Sequence, residues 1–340
     1  MMQNTAITFD DVLLVPGYNH YESRRLVDTS MTDKTGKLKL ELPVITANMD
    51  TVTESAMANF MGRFGGMGAL HRYLSIEDNL AEFKKCETKV FISIGCQEKE
   101  LERVTALRDA GAEYFVVDVA HGHARYVGRT LKLMRELLGD KGCIMAGNVA
   151  TYAGADYLAS CGADIIKVGI GGGSVCSTRI KTGFGVPMLT SIQDCAKVDR
   201  SIVADGGLRS SGDIVKALAF GADFVMIGGM LAGTEPTPGP VVTNKDGKKV
   251  KIYRGMASRE AQEDFLGPMG GWKTAEGVAT EVAYRDDHEK IIADLIGGLR
   301  SGLTYGGSAT IRELQRKLDY RLITPAGRIE SLPHKTFNSI

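Results

Sequence analysis

Short apolar runs recur along the chain, each followed by a polar or glycine-rich turn and then an amphipathic stretch. The runs predict eight buried strands, at Val44–Met49, Gly66–Leu70, Val90–Gly95, Tyr114–Val119, Cys143–Val149, Ile165–Val168, Ile202–Ala204 and Phe224–Ile227. Helical periodicity fills the intervals, and three of the helices stop at a glycine: Leu101–Ala110 before Gly111, Ala153–Ser160 before Gly162, and Ile214–Phe220 before Gly221. An eighth helix is expected at Asp287–Arg300. Ala110-Gly111-Ala112-Glu113, Cys161-Gly162-Ala163-Asp164 and Phe220-Gly221-Ala222-Asp223 repeat one junction between helix and strand. Strand and helix in alternation imply a parallel sheet, and eight repeats imply an α/β fold closed as a (β/α)8 TIM barrel. An open doubly wound sheet is the second choice, against which no GxGxxG follows the first strand.

The whole chain, 1–340, reads as one domain with additions. Residues 1–42 are turn-rich, apart from Phe9–Pro16, and form a lead-in covering one end of the fold. After the last strand, 233–285 comprises a hairpin tipped by Asp246-Gly247 and then a flap. Residues 259–275 lack apolar periodicity, carry the sole Trp, Trp272, and read as a mobile cover. Residues 318–340 form a polar tail docking on the barrel or a neighbour.

Composition narrows the function. Basic and acidic residues balance at 41 each, which leaves no electrostatic footprint for nucleic acid or an anionic membrane. The apolar runs are too short to span a bilayer, and Met1–Thr5 lacks the build of a signal peptide. Six cysteines without CxxC spacing argue against a disulfide framework or a zinc site, and fit a reduced cytoplasm.

In a barrel, chemistry gathers where strands end. The strand ends supply Asn48-Met49-Asp50, His71-Arg72, Asp118 with His121, Gly147-Asn148, and then Gly169–Gly173 leading to Cys176. Glycines at that density let the backbone lie against a ligand, and Cys176 is displayed beyond them beside Thr178 and Arg179. A hydroxyl and a cation near the sulfur suit a nucleophile, with Arg179 favouring the thiolate. Asp205-Gly206-Gly207 and Gly228-Gly229 follow strands seven and eight, the usual phosphate cradle of such barrels. Asp205 would repel phosphate, so it suits ribose hydroxyls instead.

The Cys176 loop, Asp205-Gly206-Gly207-Leu208-Arg209, Met226–Ala232, Tyr253-Arg254-Gly255-Met256 and Gly298-Leu299-Arg300-Ser301 together resemble the family of IMP dehydrogenase and GMP reductase, in its motif order and over nearly the whole chain. The resemblance implies a nicotinamide-dependent oxidoreductase acting on a purine nucleotide through a covalent bond from the loop cysteine to purine C2. It favours the reductase branch on three counts. Only Arg72–Lys89 stands where the dehydrogenase usually inserts a pair of CBS modules. Ser258–Glu276 is short and lacks the Arg-Tyr pair that activates water in the dehydrogenase. Ala47–Asp50, Ala120–His123 and Ile180–Gly185 look like reductase variants.

Carried over by residue, the resemblance makes Cys176 the nucleophile and Thr178 with Glu276 a proton relay. Ser174, Asp205, Gly206, Gly207, Gly228, Gly229, Tyr253, Gly255, Met256 and Ala257 would contact the nucleotide. Arg72, Asp118, Val119, Ala120, Ile170 and Gly171 would face NADPH, with Ser301 and Thr304 reaching it from a neighbouring subunit of a homotetramer. Gly171, Gly173 and Cys176 match a potassium site. Two departures stand out: Gly171-Gly172-Gly173 replaces the family's Gly-Pro-Gly, which suggests a looser loop, and Arg72 replaces a lysine common in reductases. The implied reaction is conversion of GMP to IMP and ammonia with NADPH. The alternatives are an IMP dehydrogenase without CBS modules, making XMP with NAD, and a non-enzymatic purine-nucleotide sensor.

Overall fold

The computed structural model describes residues 5–333. The expectations placed on Met1–Asn4 and on 334–340 lie outside the described residues. Eight parallel strands form one sheet: β1 Val44–Thr46, β2 Gly68–Leu70, β3 Val90–Ile94, β4 Tyr114–Asp118, β5 Cys143–Val149, β6 Ile165–Val168, β7 Ser201–Asp205 and β8 Phe224–Ile227. Neighbours follow the order β1-β8-β7-β6-β5-β4-β3-β2. The remaining seam closes at Met67, just before β2, where Thr46 N–H donates to the Met67 carbonyl at 2.9 Å and Met67 N–H to the Val44 carbonyl at 3.1 Å. The sheet is a TIM barrel, and the open alternative is excluded. Its strands are buried along almost their whole length because helices cover the outer face, which is why they read as unbroken apolar runs.

Helices α1 Ser55–Arg63, α2 Ile76–Lys84, α3 Lys99–Asp109, α4 Arg125–Leu138, α5 Tyr152–Ser160, α6 Thr178–Thr182, α7 Met188–Cys195 and α8 Ser211–Ala219 lie between or after the strands. The repeated Gly-Ala-acid junction has a physical basis. Gly111, Gly162 and Gly221 turn with φ of 99°, 109° and 114°, and the following alanines are buried. In two of the three repeats the acid then caps the previous strand: Asp164 accepts Ile144 N–H and Asp223 accepts Ile202 N–H, each at 2.8 Å. Glu113, in the third, is exposed.

The N-terminal segment touches both ends of the barrel. A hairpin pairing Met31–Thr32 with Lys39–Leu40 lies under the strand starts. There Lys37 Nζ meets Asp164 at 2.8 Å and Lys34 N–H donates to Ser201 at 2.9 Å. Thr8, Phe9 and Asp10 meanwhile reach the opposite, catalytic end. Beyond β8 come β9 Val242–Thr243, β10 Lys249–Arg254 and β11 Ala279–Ala283, a three-stranded antiparallel sheet. Between β10 and β11 runs a helix that periodicity did not anticipate, α9 Arg259–Leu266. Ser258 caps it by accepting Ala261 N–H at 3.2 Å, and Gly267 ends it at φ 82°. The eighth outer helix, α10 His288–Tyr305, runs past the expected Arg300. The strand Tyr320–Leu322 pairs antiparallel with Val12–Leu14.

Candidate active site

The strand ends surround a cavity of about 780 Å³. Its centre is the loop leaving β6. A Cβ on Gly169 (φ 144°) would fall 2.1 Å from the Asp205 carbonyl oxygen, and one on Gly206 (φ 100°) would fall 3.0 Å from Gly173 N. The cysteine loop and the Asp205 turn therefore lie backbone against backbone, a spacing open only to glycine.

Cys176 is half-buried on this loop. Its thiol donates to Thr178 Oγ1 at 3.2 Å, and the Thr178 hydroxyl donates to Glu276 Oε2 at 2.9 Å. The carboxylate arrives from the flap, whose backbone is stitched to the loop. Ser177 N–H donates to the Glu276 carbonyl at 2.8 Å, Val278 N–H to Val175 at 3.0 Å, and Glu276 N–H to Ala257 at 3.0 Å. Sulfur, hydroxyl and carboxylate form a continuous proton path beside an open cavity, an arrangement suited to nucleophilic chemistry with an acid or base at hand. The expected role of Arg179 is not met. Its guanidinium donates to the carbonyls of Ile170 at 3.2 Å and Val186 at 2.7 Å. It braces the loop instead of facing the sulfur.

Ser174 has its hydroxyl 3.1 Å from the Tyr253 hydroxyl, with Gly229 beside both and Gly228 beside Tyr253. Burial pushes the Tyr253 phenol above its ordinary range, against the pull of the Ser174 hydrogen bond, so it remains a donor at neutral pH. Asp205, Gly206, Gly207, Gly255, Met256 and Ala257 also line the cavity. Arg72, Asp118, Val119, Ala120, Ile170 and Gly171 line the same cavity. Arg72 lies over the Tyr73 ring, 5.1 Å from its centroid, and its buried Nε has no partner among the described residues. His121 and His123 are exposed and do not line the cavity.

Ser301 and Thr304 are not brought to this site. Both sit on α10, where Ser301 Oγ donates to the Gly297 carbonyl and Thr304 Oγ1 to the Ser301 carbonyl, each at 2.8 Å. No cluster of His, Cys, Asp or Glu able to hold a metal occurs among the described residues. In the loop proposed for potassium, the Gly173 carbonyl already accepts Cys176 N–H at 3.1 Å.

Several lining residues escaped the sequence reading. Tyr73 donates to the Met256 carbonyl at 3.0 Å and stacks on Phe265 of α9, with centroids 4.9 Å apart. Gln262 and Lys273 face the cavity from the flap. Lys167 forms its floor, 2.9 Å from Asp118 and 2.8 Å from Asp205. A lone lysine inside the apolar run Ile165–Val168 was the signal for that last residue.

A family model described as the IMP dehydrogenase / GMP reductase domain matches residues 6–334. The chain belongs to this family. Its members are oxidoreductases of purine metabolism that bind IMP or GMP and a nicotinamide cofactor. Among similar proteins, human GMP reductase 1 is 37% identical over 94% of this chain and 95% of its own length. The inosine-5'-monophosphate dehydrogenase of Nitrosopumilus maritimus is 32% identical, covering 97% of this chain and 98% of its own. The crystal structure of inosine 5' monophosphate dehydrogenase from Legionella pneumophila is 73% identical over 95% of this chain and 100% of its own, with a TM-score of 0.88. That of a cysteine-to-alanine variant of Trypanosoma brucei GMP reductase, in complex with guanosine 5'-monophosphate, has a TM-score of 0.90 at 29% identity, over 98% and 99% of the two chains. Both names thus occur among the family relatives.

Proposed function

We propose that this chain reduces GMP to IMP with NADPH, releasing ammonia. The observation that carries the reading is the Cys176–Thr178–Glu276 path, set under a flap that offers the cavity Gln262, Leu266, Lys273 and Thr274 but no arginine–tyrosine pair. The thiolate of Cys176 adds at purine C2, which bears the exocyclic amine. An amine leaves poorly unless protonated, so a proton from Glu276 passes through Thr178 to the nitrogen. Ammonia departs, leaving C2 joined to sulfur as a thioimidate. When bound, NADPH supplies a hydride. C2 accepts it, the C–S bond breaks and its electron pair returns to sulfur. In sum GMP, NADPH and two protons give IMP, ammonium and NADP⁺.

The lining residues divide between the two ligands. Ser174, Asp205, Gly206, Gly207, Gly228, Gly229, Tyr253, Gly255, Met256 and Ala257 hold the nucleotide, with Asp205 accepting from ribose hydroxyls. Arg72, Asp118, Val119, Ala120, Ile170 and Gly171 hold the dinucleotide. Ser301 and Thr304 could serve only across a subunit contact, as in a homotetramer. Potassium at Gly171, Gly173 and Cys176 would need further oxygens, since one of the three carbonyls is already shared with Cys176 N–H.

Dehydrogenation of IMP to XMP with NAD is the second reading, favoured by the 73% identity to the Legionella pneumophila structure named for that activity. Against it, the flap between Ser258 and Glu276 holds no arginine–tyrosine pair to activate water. Absorbance at the nicotinamide band decides. GMP with NADPH should lose it; a gain with IMP and NAD⁺, and no loss with GMP and NADPH, establishes the dehydrogenase.

A further inference from the structure

The floor of the cavity holds a charge arrangement that the proposed chemistry does not use. Lys167 projects from the middle of β6 and is 3% exposed. Its ammonium contacts Asp118 Oδ1 at 2.9 Å, at the end of β4, and Asp205 Oδ2 at 2.8 Å, at the end of β7. Two carboxylates, from the ends of β4 and β7, thus share one cation. The same Asp205 oxygen also accepts Asn148 Nδ2 at 2.8 Å. A Cβ on Gly147 would fall 2.6 Å from Lys167 Cβ and 2.5 Å from its carbonyl oxygen, so the neighbouring strand leaves room for the lysine only as glycine.

We infer that Lys167 is a positioning residue shared by the two groups of binding residues, fixing Asp205 for the nucleotide and Asp118 for the dinucleotide and coupling the occupancy of one to the other. This rests on the assignment of those carboxylates to the two ligands under the proposed function. The physical argument is charge balance. With Lys167 the trio carries one net negative charge; without it, two carboxylates face each other in a poorly hydrated pocket. Each keeps an asparagine donor, Asn48 on Asp118 and Asn148 on Asp205, but neither amide offsets the charge, so one carboxylate must take up a proton. The other ionisable or charged groups around the trio are Arg72 and Tyr73 after β2, Cys96 after β3 and Tyr253 on β10. Only Arg72 among them is a cation, and it influences Asp118 without a hydrogen bond to it. No group here replaces the lysine.

The test is a set of calorimetric titrations with GMP and with NADPH, beside turnover. Lys167→Met should weaken both ligands, each by at least about tenfold. Its GMP affinity should improve as the pH falls, because a proton then substitutes for the ammonium. Adding Asp118→Asn to Lys167→Met restores a single negative charge and should recover most of the GMP affinity, although Asp118 is assigned to the dinucleotide. Loss of one ligand alone, or no recovery in the double variant, overturns the proposal. Should Lys167→Met fail to fold, Asp118→Asn alone carries the test. It frees the lysine to bind Asp205 exclusively and should lower GMP affinity at least about threefold, by loss of the shared geometry; unchanged affinity contradicts the coupling. Failure of the functional reading is separate: wild-type protein would then not oxidise NADPH with GMP. In that event the same titrations with IMP and NAD⁺ judge the lysine.

Discussion

Cys176 is set apart from the other thiols by where it stands. All six cysteines are free. Burial pushes Cys86 and Cys195 up to about 12, and raises Cys143 and Cys96 as well. Those four are held as unreactive thiols, whereas Cys176 opens on the cavity. Iodoacetamide near neutral pH should therefore label Cys176 first, and GMP should protect it; peptide mapping that finds another cysteine labelled faster contradicts this. Glu276 acts one atom further back, through the Thr178 hydroxyl. Glu276→Gln keeps the acceptor for that hydroxyl but cannot deliver a proton. Deamination should slow by roughly 10²–10⁴-fold, while the hydride step, read by single-turnover kinetics, slows less. Equal losses in both steps would remove Glu276 from the role of acid.

Among the elements, the flap decides what enters. Arg254, at the end of β10, makes two bonds to Asp50 Oδ2, at 2.9 and 2.6 Å, and one to Asp264 of α9 at 2.6 Å. With the Tyr73–Phe265 stack this ties the flap helix to the ends of β1 and β2. If a thioimidate forms beneath it, water must stay out or the adduct hydrolyses to XMP. Phe265→Ala removes the stack without touching the relay. It should raise the Michaelis constants and divert part of the product to XMP, measurable by chromatography; IMP as sole product at unchanged constants would show that the stack does not guard the site. The strand-borne trio beneath the flap has a defined pH response. Burial alone would raise Asp118 and lower Lys167, but their mutual attraction, with Asp205, reverses both. A lowered carboxylate contributes stability above its unfolded value and loses it as pH falls through the folded one. A raised lysine contributes below its unfolded value and loses it as pH climbs through the folded one. Ligand affinities of the wild type should accordingly stay flat between about pH 6 and 9, in contrast to Lys167→Met.

For the whole molecule, stability and chemistry occupy opposite ends. Asp164, beneath the barrel, caps Ile144 N–H and pairs with Lys37 and Arg135. Asp164→Ala should cost about 2 kcal/mol in denaturant unfolding with kcat unchanged; a fall in kcat would mean that the two ends communicate. The barrel was legible because its signals are local: an apolar run, a glycine of positive φ, an acid that caps the strand before it. What joins distant segments was not. Arg254 meets Asp50 across 204 residues, and Lys167 meets two carboxylates on other strands. Nothing in the intervening sequence announces such pairings. The flap helix was missed because Arg259–Leu266 is short and only Ala261 is buried, so its apolar periodicity is weak. Glu276 was reached through family resemblance alone, and Arg179 was misjudged because proximity in sequence does not fix the direction of a side chain.

The covalent step is the claim on which the rest depends. Intact-protein and peptide mass spectrometry, on enzyme quenched in acid during turnover of GMP with NADPH, reads it directly. The account predicts a purine nucleotide attached through C2 to the peptide containing Cys176, absent when GMP is withheld and when Cys176→Ala replaces the wild type. Sustained turnover with an unmodified Cys176 peptide, under conditions that detect a synthetic adduct, would contradict it.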